Sequence, residues 1–263
     1  MVADALASDR RTATGWGRRM IASIWAWLTD PANWSGADGI PTRLAQHLGY
    51  SAIVLLAAAA IAIPLGLYVG HTGRARWLIS AANAARAVPT LGLLFALALW
   101  LGPKLRGDLA FSLPSIIVLV LLAIPPLLAG AYAGVEAVDP AARDAAIGMG
   151  MRPAQVLFEV ELPGALPLLL SGIRAATLQV IATATIAAYV GLGGLGRYLI
   201  DGLATGDYPA TAGGALLVCV LALVLDLILA GLTRIVVSPG LTGKYRGATG
   251  VDEANRIAAV SER

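Results

Sequence analysis

The sequence predicts an all-α, polytopic membrane protein of about five spans with an N-terminal interfacial helix, and three observations carry that expectation. Hydrophobic residues fill 58% of the 263 positions and charged residues only 13%, against about a quarter charged in a typical soluble domain. The run Ser51 to Gly70 holds no charge and matches the ~20 residues that a helix needs to cross a bilayer core. Runs such as Ile116 to Gly130 show none of the apolar–polar alternation of a lipid-embedded barrel strand.

The elements follow in order. Residues 1–47 form an N-terminal segment in which Arg10, Arg11, Arg18 and Arg19 precede a short apolar stretch, Met20 to Leu28. No small-residue cleavage pattern follows, so the segment is not read as a secretory signal. The stretch is too short to span, Asp30 and Pro31 close it, and Trp16, Trp25 and Trp27 suit a helix lying along the headgroups. Residues 48–241 form the transmembrane domain, with spans at about Leu48 to Gly70, Trp77 to Gly102, Phe111 to Val135, Pro163 to Tyr189 and Tyr208 to Val236. Pro64, Pro89, Pro125 and Pro126 fall within spans, where they can kink helices and form a hinge. Residues 242–263 make a polar, mobile tail.

Basic residues orient the bundle. Arg74, Arg76, Arg143, Arg152, Arg234, Lys244 and Arg246 lie on one side, and Lys104, Arg106 and Arg197 on the other. Seven against three places the loop between spans three and four, and the C-terminus, in the cytoplasm. The N-terminal arginines oppose this count and do not fix the side of their own segment.

The cytoplasmic loop is the informative segment. Asp139 followed by Pro140 predicts a helix start, and Ala141 to Ala146 are mostly strong helix formers. Gly148 and Gly150 interrupt that helix, and Arg152 with Pro153 predicts a second start leading into the span at Leu162 and Pro163. Two helices around a glycine turn make a shape suited to a groove on a partner.

These residues resemble the loop of permeases from binding-protein-dependent ABC importers: EAA, three residues, Gly, nine residues, Ile, one residue, Leu-Pro. Here Asp144, Ala145 and Ala146, then Gly150, Val160, Leu162 and Pro163 keep that spacing, with Asp for Glu and Val for Ile. The stretches Ile61 to Arg74, Ala85 to Leu97, Ala141 to Met151 and Ala187 to Leu203 look similar to the subfamily importing glycine betaine, carnitine, choline and related osmoprotectants. The resemblance covers about Leu48 to Leu241. It implies a type I importer fold like that of methionine importers, with a coupling loop at 138–163. The implied partners are ATP-hydrolysing subunits using ATP and Mg, an external substrate-binding protein and a second permease, with a heterodimer preferred to a homodimer. The setting implied is the bacterial plasma membrane, and this chain is expected to bind no cofactor or metal and to catalyse nothing.

Other signals weigh less. Gly191, Gly193 and Gly196 spell G-x-G-x-x-G but end a membrane helix, and a tight turn near the external gate is the preferred reading. No phosphate-loop sequence occurs, so ATP falls to another polypeptide. Cys219 is lone, and His47 and His71 lack a second ligand at metal spacing. A net charge of +3, mostly from arginines outside the spans, argues weakly for nucleic acid. Pro89, Thr90, Gln179, Gly193, Gly194 and Asp226 are candidate pathway or gate residues. Arg86 and Arg174 are expected to snorkel, while Asp226 suits an interhelical pair or the pathway. A permease for methionine or another amino acid, a proton-coupled secondary transporter using Asp226, and a membrane assembly protein are the competing functions.

Overall fold

A computed structural model describes residues 18–237, so Trp16, the first arginine pair and the tail lie outside the described residues. The described residues are helical and contain no strand. Helix α1 covers residues 18–29. Asn33 and the Trp34 indole donate to the carbonyls of Trp27 and Leu28 at 2.8 and 2.7 Å, satisfying the end of that helix. The Trp27 ring meets Tyr198 edge-on at 5.1 Å, and a Cβ on Gly213 would lie 2.4 Å from it. The N-terminal helix therefore touches the bundle at Trp27, while Trp25 remains 68% exposed.

Among the described residues four helices are long and apolar enough to cross a membrane, and they match four of the five expected spans. These are α2 (Ile40–Thr72), α5 (Leu109–Glu136), α8 (Leu162–Ala187) and α10 (Tyr208–Val236). At 33 residues α2 is about 50 Å long and starts well before the apolar run, because Pro41 suits a first turn. The remaining span differs from expectation. It is two helices, α3 (Trp77–Ala85) and α4 (Thr90–Leu101), set at 89°. Pro89 supplies the physical reason: it lacks an amide hydrogen and drives Val88 out of helical geometry, so the chain restarts at Thr90. The prolines of α5, by contrast, sit inside one helix.

The bundle is built around α5, which packs against α2 on one side and α8 on the other. Water does not drive helices together in lipid, so association depends on close van der Waals fit, and small residues line both contacts. A Cβ on Gly66 would lie 2.7 Å from the Leu128 carbonyl, and one on Gly130 would lie 2.7 Å from the Gly172 backbone. Val54, Ala58, Leu119, Ala123, Ala176 and Val180 fill the core between these helices.

Pro126 leaves the carbonyl of Leu122, four residues earlier, without its helical donor, and the side-chain amide of Gln179 donates to that oxygen at 2.9 Å. Gln179→Leu is expected to leave the carbonyl unsatisfied and to lower stability by about 1–3 kcal/mol. Thermal unfolding in detergent checks this against Thr183→Val. Thr183 only donates back to its own helix, at 2.8 Å to the Gln179 carbonyl, so that control should stay near wild type.

Candidate functional site

The loop between α5 and α8 folds as its local chemistry dictates. The Asp139 carboxylate accepts the Ala141 amide at 2.9 Å, Pro140 occupies the first helical position, and α6 runs Pro140–Gly148. Gly150 has φ +83°, the left-handed geometry that ends helices. Its amide donates to the Ile147 carbonyl at 2.9 Å and that of Met151 to Ala146 at 3.2 Å, the paired bonds of a Schellman turn. The second helix starts as expected, with Pro153 first and the Gln155 side chain accepting the Arg152 amide at 2.9 Å. That start, α7 (Pro153–Gln155), passes through a wide π turn, Val156–Glu161, directly into α8. Val160, Leu162 and Pro163 thus belong to one continuous helical run into the membrane.

Asp144, Ala145, Ile147, Gly148, Met149 and Gly150 are exposed and form an open face, with Ile147 57% and Met149 77% exposed. A Cβ on Gly148 or Gly150 would meet nothing within 4 Å. Ala146 differs. It was expected to serve docking alongside Ala145, yet it is only 2% exposed, because the helix turns it toward the chain's own packed side. Ala145 is the better probe of the outer face.

Behind this face lies a cluster that single residues did not suggest. Glu161, in the π turn, is fully buried and receives Arg143 of α6 and His71 of α2, each at 2.6 Å. The His71 contact is a hydrogen bond from Nδ1 to Oε2, whereas Arg143 Nε faces Oε1 as an ion pair without hydrogen-bond alignment. Arg143 also donates through Nη2 to the Val135 carbonyl at the end of α5, at 3.1 Å. α6 and α2 thus meet on a carboxylate in the π turn, and Arg143 carries the contact on to α5. The available sequence signal was a lone acid between two apolar residues at the lip of a span.

The candidate pathway residues are dispersed. Pro89 and Thr90 stand at the α3–α4 break, and Gln179 is engaged with Leu122. Asp226 pairs bidentately with Arg174 across α8 and α10, Nη2 to Oδ2 at 2.5 Å and Nε to Oδ1. Arg174 was expected to snorkel; from the middle of α8 it instead pairs with the opposite charge on the neighbouring helix. Arg86 is exposed at the break. Gly193 and Gly194 lie at the end of the bundle opposite the loop, where the Gly194 amide donates to Gln46 at 3.0 Å. A Cβ on Gly193 would lie 2.6 Å from the Gln46 oxygen, so these glycines form a tight turn against α2. Beside them the rings of Phe95, Phe111 and Tyr189 line an apolar cavity of about 540 Å³.

Comparison with known proteins places this architecture. The chain is 34% identical to the carnitine transport permease protein OpuCB of Listeria monocytogenes, over 69% of this chain and 80% of that one. It is 34% identical to the osmoprotectant import permease protein OsmW of Salmonella typhimurium, over 74% and 91%. With the choline transport system permease protein OpuBB of Bacillus subtilis the identity is 32%, over 74% and 88%. Among solved structures, an inward-facing form of the MetNI methionine ABC transporter superposes with a TM-score of 0.64 at 21% identity, over 76% of this chain and 96% of that one, a likeness of fold. Residues 62–238 match the family described as the inner membrane component of binding-protein-dependent transport systems, a stretch that holds both the glycine-turn loop and the helices it joins, and the chain belongs to that family.

Proposed function

We propose that this chain is the permease subunit of an ATP-driven importer that carries a small quaternary ammonium osmoprotectant, such as glycine betaine, choline or carnitine, into the cell. The observation that carries the proposal is the identity of 32–34% to permeases of carnitine, osmoprotectant and choline systems over most of their length. In this reading the exposed face of α6 docks on a separate ATPase subunit, which uses ATP and Mg, and the loop and C-terminus lie in the cytoplasm, as the arginine distribution supports. A second permease subunit completes the pore, preferably a related chain, and an external binding protein delivers the solute at the Gly193–Gly194 end, opposite the loop. The aromatic cavity at that end offers the ring faces that a quaternary ammonium favours. The Arg197 guanidinium at its rim is matched by Asp201 at 2.6 Å.

Uptake of labelled glycine betaine, choline, carnitine and methionine, compared at high salt in cells with and without the full set of transporter subunits, tests the substrate. Accumulation of at least one of the first three is expected. Gain for methionine alone would reassign the substrate to an amino acid.

A further inference from the structure

We infer that Glu161 is the positioning residue that transmits movement of the cytoplasmic loop into the membrane helices, with Arg143 and His71 as its two arms. The inference rests on the proposed docking of α6 on an ATPase and adds the route by which force leaves that helix. Docking alone moves nothing in the bilayer. α6 is a short helix with its open face outward, and its loop would swivel on Asp139 and Gly150 unless something tied its inner face to the spans.

Arg143 is that tie. From the middle of α6 it reaches Glu161 at 2.6 Å and the Val135 carbonyl at 3.1 Å, gripping the start of the α8 run and the end of α5 together. Glu161 passes the contact on to His71, in the last turn of α2, 90 positions away in sequence. Because α2, α5 and α8 pack as the central layer of the bundle, a displacement of α6 acts on all three, on α5 through Arg143 and on α8 and α2 through the Glu161 carboxylate.

The π turn explains how a carboxylate comes to face inward here. Five-residue bonding adds a residue to the turn and rotates the side chains, and Val156 and Glu161 become the buried members of the segment. A carboxyl group with no access to water requires polar partners for its oxygens, and removing one of them leaves a buried polar group unsatisfied. The three side chains therefore hold one another in place, which is what a transmitter needs.

The test uses the whole transporter, with the ATPase subunits and the binding protein, in proteoliposomes. It reads complex yield, ATP turnover and accumulation of whichever labelled osmolyte the wild type takes up. Glu161→Gln is expected to retain the ATPase while solute accumulated per ATP hydrolysed falls about tenfold, the scale of a lost coupling free energy between sites. Because a single change can lower yield by stranding Arg143, the double variant Arg143→Gln/Glu161→Gln is measured beside it. With no unpaired charge, the double variant should recover yield but not the ratio. Arg143→Lys, which keeps the charge but loses the fork to Val135, should fall between the two. Recovery of both yield and ratio in the double variant, or a wild-type ratio in Glu161→Gln, would reduce Glu161 to packing and overturn the inference while leaving the docking reading in place. Failure of the wild-type chain to retain the ATPase would overturn both.

Discussion

Gly150→Val is expected to lower the yield of permease–ATPase complex about tenfold while leaving the amount of membrane-inserted chain unchanged. Gly150 holds φ +83°, a geometry that costs a β-branched residue about 1–3 kcal/mol, and a tenfold change needs only ~1.4 kcal/mol. The strain falls on a turn whose two closing bonds set the end of α6, so the outer face loses its shape before any partner arrives. Gly150→Asp should act in the same direction but less strongly, since Asp tolerates left-handed backbone better. Ala145→Glu tests the same face without backbone strain, placing a long charged side chain where close docking needs a methyl group. Co-purification, ATP turnover and solute accumulation are read together. Wild-type values of all three in Gly150→Val and Ala145→Glu would remove the loop from the coupling pathway.

The second large effect concerns the Arg174–Asp226 pair. Asp226→Leu is expected to reduce the yield of folded protein sharply, because it leaves a guanidinium in the membrane with no counter-charge. Arg174→Leu/Asp226→Leu removes both charges and should recover most of that yield. This pair ties α8 to α10 through polar atoms, and the most apolar stretch of α10 has none of its residues buried in this chain. Asp226→Asn keeps the side chain's size and an acceptor oxygen but cannot titrate. Assembly and transport that survive in Asn identify a structural tie. Transport lost in Asn with normal assembly would instead favour a protonation step at this position.

What the sequence disclosed, and what it withheld, follows the range of the forces involved. The cap at Asp139, the proline starts at Pro140 and Pro153 and the Gly150 turn are set by residues two to five positions apart, and each appears where local chemistry puts it. Hydrophobic run length located α2, α5, α8 and α10. It missed the break between α3 and α4, because a hydropathy run records side chains and is blind to an absent amide hydrogen, although Pro89 stood in view. The sidedness of Ala146 depended on where the π turn lies, which no alanine can report. His71, Arg143 and Glu161 were each visible as a charge or a histidine near a boundary. Their meeting is a tertiary fact spanning 90 positions, written in no spacing rule. Arg174 and Asp226 lie intermediate: the expense of charge in lipid flagged each, and only the packing of α8 on α10 named them as partners.

The break at residues 86–89 sets a condition on the surroundings of this chain. With its 3-10 extension to Lys104, α4 is about 24 Å long, short of the ~30 Å hydrocarbon thickness. With Lys104, Arg106 and Asp108 just past its far end set at a membrane surface, its first turn would begin inside the hydrocarbon depth. The amides of Thr90, Leu91 and Gly92 precede the first carbonyl that their own helix could offer, since Leu93 is the one that takes Pro89, at 3.0 Å. Acyl chains accept no hydrogen bonds. Residues 84–89 are exposed on this chain, so at that depth the acceptors for the turn would have to come from water or from a neighbouring polypeptide, a condition that only a Pro89 side turned away from lipid would meet.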